Sequence, residues 1–409
     1  MDKGGWRSIL AICIVWTSTT AAEAAPDTIK IGLIGDFSSV YADLGGRGSL
    51  EAARMAVEDF GGSVLGFPIE IVYADAQNKP DIAAGIAREW FDERGVDMIT
   101  DLPTTGVALA VMDIARQRHK VVMVTSAGST DITGKFCTPY SVHWTFDSYA
   151  IANGAALTMG QHGNETWFIL QVDTVFGTAL AGSLEVALDR TGNKIAGVLK
   201  HPTGTQDFSS FLLQAEASKA GVIVFANAGE DTARVIKQAA EFGITRNGRP
   251  RIAAPTIELS DLRSVGLEAA QGLAVIKAFY WDIDERSRQW SRRFYERMHV
   301  MPTMMQAGTY GAVSHYLKAV AGTGSKDADA VMARMRDLPI DDFMTAGGKL
   351  RIDGRVMRDM YMLEVKKPDE SHGEWDMLKL VSTVPGDQAF RALAAGHCPL
   401  VTGEAGAAK

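Results

Sequence analysis

The chain has 409 residues, of which 46% are apolar and 22% charged, so it can bury the core of two or three domains and is not a disordered protein. Lys and Arg number 41 against 49 Asp and Glu, and the net charge of -8 lacks the basic excess that is typical of nucleic-acid binding. Three cysteines are too few for a small scaffold built on disulfides.

The first two dozen residues have the pattern of a secretory signal peptide. Lys3 and Arg7 precede an apolar run over residues 9–16, and Ala22-Glu23-Ala24 supplies the small-x-small pattern at which signal peptidase cleaves. A transmembrane anchor is the alternative, but it would need about 20 apolar residues. We therefore predict that residues 1–24 are cleaved off near Ala24 and that the mature chain is exported.

Two cysteines remain after this cleavage, Cys137 and Cys398. In an oxidising compartment such a pair indicates one disulfide, which would join the C-terminal tail to the middle of the chain. The alternative is two buried free thiols.

From residue 29 onward, short β-branched runs alternate with amphipathic helical stretches. This alternation predicts a parallel sheet with helices on both faces. The predicted strands cover residues 29–34, 69–73, 96–100 and 121–124, and the predicted helices carry apolar stripes over residues 50–60, 83–94 and 107–114.

The alternation restarts near residue 148, and the end of the chain differs from the rest. The predicted strands cover residues 166–172, 194–199, 222–225, 252–254 and 273–276, and the helices cover 148–162, 179–190, 208–219, 231–242, 285–299 and 306–321. Short antiparallel strands are predicted at 349–352, 360–365 and 377–380, followed by an irregular tail after Pro385.

The fold class that fits this pattern is α/β, with two doubly wound parallel-sheet lobes of similar size. No long Gly/Ser or Pro-rich linker separates the two halves, so we expect lobes joined by short crossovers in a hinge. Because open α/β sheets bind ligands at the carboxyl ends of their strands, a ligand would lie in the cleft between the lobes.

Catalytic signatures are absent from the sequence. It contains no His-Glu-x-x-His, no Walker loop, no Cys-x-x-Cys and no Gly-x-Ser-x-Gly. Gly45-Gly46-Arg47-Gly48 lacks the full dinucleotide spacing and is interpreted as a turn and helix entry. The eight histidines have no close ligand spacing. We therefore predict no catalytic residue, no metal and no cofactor.

Two loops rich in small hydroxyls follow neighbouring predicted strands. Pro103-Thr104-Thr105-Gly106 opens a helix, and residues 125–130 read Thr-Ser-Ala-Gly-Ser-Thr. Hydroxyls and backbone N–H groups at helix starts suit an anion such as a carboxylate. Helix capping alone is the alternative for each loop.

A set of motifs resembles the type I periplasmic binding proteins, in the branch of leucine/isoleucine/valine receptors of ABC importers. No one motif is decisive, but the order and spacing of the motifs together are specific. The resemblance covers nearly all of the mature chain. The motifs are Gly35-Asp36-Phe37-Ser38-Ser39-Val40-Tyr41 with the helix over 52–59, Asp75-Ala76-Gln77, the 126–130 loop, Trp144-Thr145-Phe146-Asp147-Ser148-Tyr149, and Asp173-Thr174-Val175-Phe176-Gly177.

The resemblance implies three crossovers, a closing cleft in a periplasmic monomer, and docking of the loaded receptor on a membrane permease. It implies a first lobe of residues 25–146 plus about 281–346, a second lobe of 147–280 plus about 347–385, and a tail of 386–409. The ligand-binding residues that it implies, together with Tyr41 as a cleft wall, are Thr104, Thr105, Ser126, Gly128, Ser129, Thr130, Phe176, Asn227 and Thr256.

The sequence departs from the amino-acid binders at the position that should pair with the ligand ammonium. That position lies near Thr256, where there is no acid, although Glu258, Glu230 and Asp147 are alternatives. A buried ammonium without a carboxylate partner is costly. We therefore favour a small carboxylate without an amine, such as a hydroxy, keto or aromatic acid. A branched-chain amino acid-like ligand stays the alternative, since Glu230 or Asp147 could pair with its ammonium.

Two other classes of function compete with solute capture for import. A periplasmic sensor module with the same fold, feeding a membrane receptor, would share every motif above. An exported enzyme is disfavoured because the catalytic signatures are missing.

Overall fold

The protein is described by a computed structural model that covers residues 1, 2, 28–160, 163–244 and 250–403. The predicted signal peptide, apart from its first two residues, lies outside this part of the chain. Within the described part, no helix is long and apolar enough to cross a membrane.

Strands and helices alternate along the chain, with the helical elements continuing into the tail. The strands are β1 Ile29–Gly35, β2 Ser63–Val64, β3 Phe67–Asp75, β4 Met98–Asp101, β5 Val121–Val124, β6 Ser141–His143, β7 Thr166–Val172, β8 Lys194–His201, β9 Val222–Ala226, β10 Arg251–Ala253, β11 Ala274–Lys277, β12 Lys349–Leu350, β13 Val356–Met357, β14 Met360–Val365 and β15 Leu378–Val384. The helices are α1 Gly46–Phe60, α2 Pro80–Asp92, α3 Thr105–Arg118, α4 Ser148–Met159, α5 Val175–Arg190, α6 Ser209–Ala217, α7 Glu230–Glu241, α8 Leu259–Val265, α9 Leu267–Ala270, α10 Glu285–Met298, α11 Met304–Thr323, α12 Ala328–Asp337, α13 Gly386–Ala389 and α14 Pro399–Thr402.

The first sheet has the order β2-β3-β1-β4-β5-β6 in the described residues. Its strands are parallel except for the short β2, which pairs antiparallel with β3. Apolar side chains of β1 pack on one face against α1 and α11, and α2 and α3 cover the other face. We call this sheet, with α1–α3 and α10–α12, the first lobe.

The second sheet has the order β15-β14-β11-β10-β9-β7-β8 in the described residues. Strands β7 to β11 are parallel, whereas β14 and β15 are antiparallel additions at one edge. Helices α4 and α5 pack on one face and α6 to α8 on the other. This sheet and α4–α9 form the second lobe, and the predicted pair of doubly wound α/β lobes is confirmed.

The chain passes between the lobes after β6, after β11 and after β13. Leu350 and Val356 lie in the apolar core of the first lobe, and Arg355 forms a bridge with His143 at the end of β6. The third crossing therefore follows Met357, whereas the sequence placed it near residue 347. The error arose because short strands at 349–352 were grouped with the antiparallel strands of the second sheet.

The tail is more ordered than the sequence indicated. It forms the short helices α13 and α14 and connects the lobes, since Asn153 of α4 donates a hydrogen bond to the carbonyl of Gln388 at 2.7 Å. Farther along, Cys398 is bonded to Cys137 of the first lobe, with their Cα atoms 5.7 Å apart. The predicted disulfide is thus confirmed in preference to two free thiols.

Candidate functional site

The two lobes enclose a cavity of about 280 Å³ at the carboxyl ends of their strands. Loops after β1, β3, β4 and β5 form its first-lobe side, and loops after β7, β8, β9 and β10 form its second-lobe side. Open α/β sheets bind ligands at this place, and the volume suits a small molecule.

Most of the predicted binding residues line this cavity. Whether they contact a ligand remains a prediction, but the structure brings them together from both lobes. The lining includes Tyr41, Thr104, Thr105, Ser126, Gly128, Phe176 and Thr256.

Ser129, Thr130 and Asn227 lie outside the described cavity lining. The Ser129 hydroxyl is buried and accepts a hydrogen bond from the Asp131 N–H at 3.2 Å, which caps a short 3-10 turn. The Thr130 carbonyl accepts from Arg391 at 2.7 Å. The Asn227 amide oxygen accepts from Thr232 at 2.8 Å, so these residues hold the loops that carry the lining.

Two residues that line the cavity carry buried polar atoms that have no protein partner among the described residues. The Thr105 hydroxyl in the first turn of α3 and the Asn78 Oδ1 are buried without a hydrogen-bond partner among the described residues. The N–H groups of the first helical turn also lack intrahelical acceptors. Since unsatisfied buried polar groups are rare in folded proteins, Thr105 and Asn78 are candidates to receive a polar ligand group.

The orientation of the Asn78 amide is fixed by its neighbours. Its Nδ2 donates to the Asp36 carboxylate at 2.7 Å and to the Ser39 hydroxyl at 2.8 Å. Burial alone would raise the pKa of Asp36, but hydrogen bonds from Ser39 and Asn78 hold it below its usual value. Asp36 is therefore an ionised acceptor, and Asn78 Oδ1 remains available to accept from a ligand donor.

The rest of the cavity wall is apolar and largely aromatic. Phe146 and Phe176 meet edge to face with ring centroids 6.5 Å apart, and Tyr41, Leu44 and Met305 extend this surface. Burial, with smaller contributions from Asp231 and Asp36, raises the pKa of Tyr41 to about 12, so its phenol stays neutral. A flat or branched apolar group fits this wall.

Gly128 allows the two phenylalanine rings to approach the loop after β5. A Cβ atom at this position would lie 2.6 Å from the Phe146 ring and 2.8 Å from the Phe176 ring. Any side chain here would push the rings into the cavity.

No charged side chain is among the described residues that line the cavity. Glu258 is buried and pairs with Lys277, and burial raises its pKa although Lys277 opposes this. Asp147 caps α4 through the Ala150 N–H at 2.8 Å and lies 3.7 Å from the Arg355 guanidinium. Glu230 is exposed and pairs with Arg234 at 3.3 Å. None of these three acids is placed to receive a ligand ammonium.

Sequence reasoning did not identify several lining residues as site residues. Phe146 belongs to the 144–149 motif that carries the family resemblance, and Asn78 directly follows the motif Asp75-Ala76-Gln77. The available signal was therefore the position of each residue just after a strand. The residues missed include Leu44, Asn78, Phe146, Thr174, Thr203 and Met305.

Comparison with known proteins agrees with this geometry. A family model described as "Periplasmic binding protein" matches residues 28–372. A periplasmic binding protein structure from Burkholderia mallei is 46% identical, with a TM-score of 0.87, covering 91% of this chain and 99% of that chain. A branched chain amino acid ABC transporter periplasmic ligand-binding protein from Burkholderia xenovorans is 39% identical, with a TM-score of 0.83. The match covers 91% of this chain and 100% of that chain. The Leu/Ile/Val-binding protein homolog 6 of Brucella melitensis is 24% identical over 377 residues, covering 89% of this chain and 94% of that protein.

Two α/β lobes with a cavity at their strand ends, together with these matches, define a solute-binding protein. The chain belongs to the periplasmic binding protein family, and it is similar to Leu/Ile/Val-binding protein homologues and to a branched chain amino acid ABC transporter ligand-binding protein. Its family is non-enzymatic, and the family assignment made from the sequence is confirmed.

Proposed function

We propose that this protein captures a small carboxylate without an amine and delivers it to the permease of an ABC importer. The observation that carries the proposal is the cavity lining itself. Two lining residues carry buried polar atoms without a partner among the described residues, aromatic rings lie along the walls, and no charged side chain is among the described lining residues.

The carboxylate is assigned to the start of α3. A helix N-terminus offers N–H groups and a favourable dipole to an anion, and the Thr105 hydroxyl adds a donor. Thr104 is already engaged as the helix cap, because its hydroxyl accepts from the Val107 N–H at 3.4 Å. The Thr104 O–H can still donate to a carboxylate, but Thr105 is the hydroxyl of this loop that has no hydrogen-bond partner among the described residues.

The rest of the ligand is assigned from the remaining walls. Asn78 Oδ1 is a neutral acceptor that can take a hydrogen bond from a ligand hydroxyl. A neutral acceptor alone compensates poorly for the desolvation of an ammonium ion. The ligand class that fits is a hydroxy or aromatic acid with an apolar body that packs on Phe146 and Phe176.

Matched ligands test this assignment. In thermal-shift and calorimetric measurements, 2-hydroxy-4-methylpentanoate and 4-hydroxybenzoate are expected to stabilise the protein more than leucine does. Leucine and the first compound differ only in amine against hydroxyl, so the pair isolates the charge. 4-Hydroxybenzoate is included because a Rhodopseudomonas palustris solute-binding protein, 21% identical and of the same fold, was solved with it. The name of the 39% identical relative suggests a branched-chain amino acid such as leucine. If leucine binds more tightly than the other two compounds, the proposal is contradicted.

Thr105→Val should weaken binding of the preferred carboxylate about tenfold, because one hydrogen bond to a charged group is lost without a change of shape. Calorimetric titration measures the affinity. Thr345→Val is the control, since Thr345 also has a buried hydroxyl without a described partner but does not line the cavity. Equal affinity in Thr105→Val and the wild type would place the carboxylate elsewhere.

Delivery to a permease is tested in cells. Deletion of the gene should abolish uptake of the labelled ligand at low concentration. Unchanged uptake together with loss of a ligand-dependent response would favour a sensor.

A further inference from the structure

A buried carboxyl group lies directly behind the cavity wall. Asp101, the last residue of β4, is fully buried, and its Oδ1 accepts a hydrogen bond from the Ser126 hydroxyl. Its Oδ2 has no hydrogen-bond partner in the described chain. A Cβ atom added at Gly45 would lie 2.9 Å from Oδ1, and one added at Gly35 would lie 3.0 Å from Oδ2, so two glycines make the space for this carboxyl group.

The backbone at this position is held in an unusual conformation. Asp101 and Leu102 have φ angles of +75° and +66°, which side chains other than glycine rarely adopt. The Asp101 carbonyl accepts from the N–H groups of Thr125 and Ser126, both at 3.1 Å. Such strain persists where surrounding contacts enforce it, commonly at functional sites. Asp101 therefore fixes both the backbone and the hydroxyl of the Ser126 loop.

Ser126 lines the cavity, and its hydroxyl group has a single hydrogen to donate. While this hydrogen is donated to an ionised Asp101, the Ser126 oxygen can present only lone pairs to the cavity. Lone pairs repel a carboxylate. If Asp101 instead carries a proton, its own O–H can donate to Ser126, and the Ser126 hydrogen is free to turn to the ligand.

We propose that Asp101 is the positioning residue that sets Ser126 as a donor or an acceptor, and that each carboxylate bound next to Ser126 brings one proton from solvent onto Asp101. The inference rests on the proposed carboxylate-binding function and deepens it. The proton bonds to an Asp101 carboxylate oxygen and is donated to Ser126 Oγ. The Ser126 hydrogen is donated in turn to the ligand carboxylate, and the proton returns to solvent when the ligand leaves.

The surroundings of Asp101 permit this change of charge near neutral pH. Burial raises the pKa of Asp101 to about 7, against the hydrogen bond from Ser126. The negative charge of Asp36, which follows β1, repels an ionised Asp101 and therefore also favours the protonated form of Asp101. From α1, hydrogen bonds of the Ser49 hydroxyl and the Gly46 N–H favour the ionised form. Thr125 and Thr309, on the β5 and α11 sides, are uncharged.

Calorimetry measures the proton directly. Benzoate, 4-hydroxybenzoate and 2-hydroxy-4-methylpentanoate are titrated into the mature protein above neutral pH, in buffers with different ionisation enthalpies. For each probe that binds, uptake of close to one proton is expected, and affinity should fall up to tenfold for each pH unit above about 7. Binding without proton uptake would overturn the inference and leave the proposed function intact. Binding by none of the three would overturn the proposed function, and the inference with it.

Two variants separate this mechanism from a structural role. In Asp101→Asn the amide donates to Ser126 at every pH, so affinity should become independent of pH and proton uptake should vanish. In Ser126→Ala the hydroxyl is missing, so affinity should fall and proton uptake should also vanish. Proton uptake that persists in Ser126→Ala would overturn the inference, even if Asp101→Asn fails to fold.

Discussion

Replacement of Gly229 by alanine is expected to weaken ligand binding by more than about tenfold, because it prevents the lobes from closing. Gly229 follows β9 in the second lobe and has a φ angle of +62°. A Cβ atom there would lie 2.6 Å from the Val40 carbonyl oxygen and 3.2 Å from the Tyr41 ring, both in the first lobe. The two lobes must separate to relieve this contact, and a cavity built from both lobes then loses one wall.

The matched control is Gly204→Ala. Gly204 also lies in the second lobe with a positive φ of +76°, but an added Cβ atom would meet nothing within 4 Å. Both variants should lose stability, by roughly 1–3 kcal/mol, from the positive φ alone. Gly229→Ala should lose the more, because its ψ angle of -141° lies outside the left-handed helical region that other residues can adopt. Only Gly229→Ala should lose affinity in calorimetric titration. Equal affinities for the two variants would show that the Gly229 contact is not required for the bound state.

The sequence was sufficient for the architecture of both lobes, because buried parallel strands are continuous apolar runs. Val121–Val124 and Val222–Ala226 are fully buried and were evident from composition alone. The chain's third crossing was placed too early because Lys349–Leu350 is only two residues long. Its membership of the first lobe depends on the packing of Leu350 in that lobe's core and on the nearby bridge between Arg355 and His143 of β6, and a short strand carries no signal for such distant contacts.

The site was predictable to the level of loops but not of individual side chains. The loop after β9 borders the cavity, yet Ala228 is the residue that lines it, while the predicted Asn227 bonds to His201 and Thr232. A shift of one residue along a loop reverses which side chain faces the ligand. Glu258 shows the same limit, because its pairing with Lys277 joins positions that are distant in the sequence.

Loss of the Cys137–Cys398 disulfide is expected to lower the free energy of unfolding by about 2–4 kcal/mol. The bond closes a loop with a sequence separation of 261 residues, so it restricts the unfolded chain strongly. It also secures a tail that contacts α4 through Gln388 and holds the Thr130 carbonyl through Arg391. Chemical denaturation of Cys137→Ser/Cys398→Ser measures the effect.

The single variants Cys137→Ser and Cys398→Ser are the controls, since each removes the same covalent bond. If the restriction of the unfolded chain dominates, both should be destabilised about as much as the double variant, and reduced wild-type protein should match them. Ligand affinity should change less than in Gly229→Ala, because Arg391 still tethers the tail beside the binding loop. A double variant as stable as the oxidised wild type would show that the tail is held by its non-covalent contacts alone.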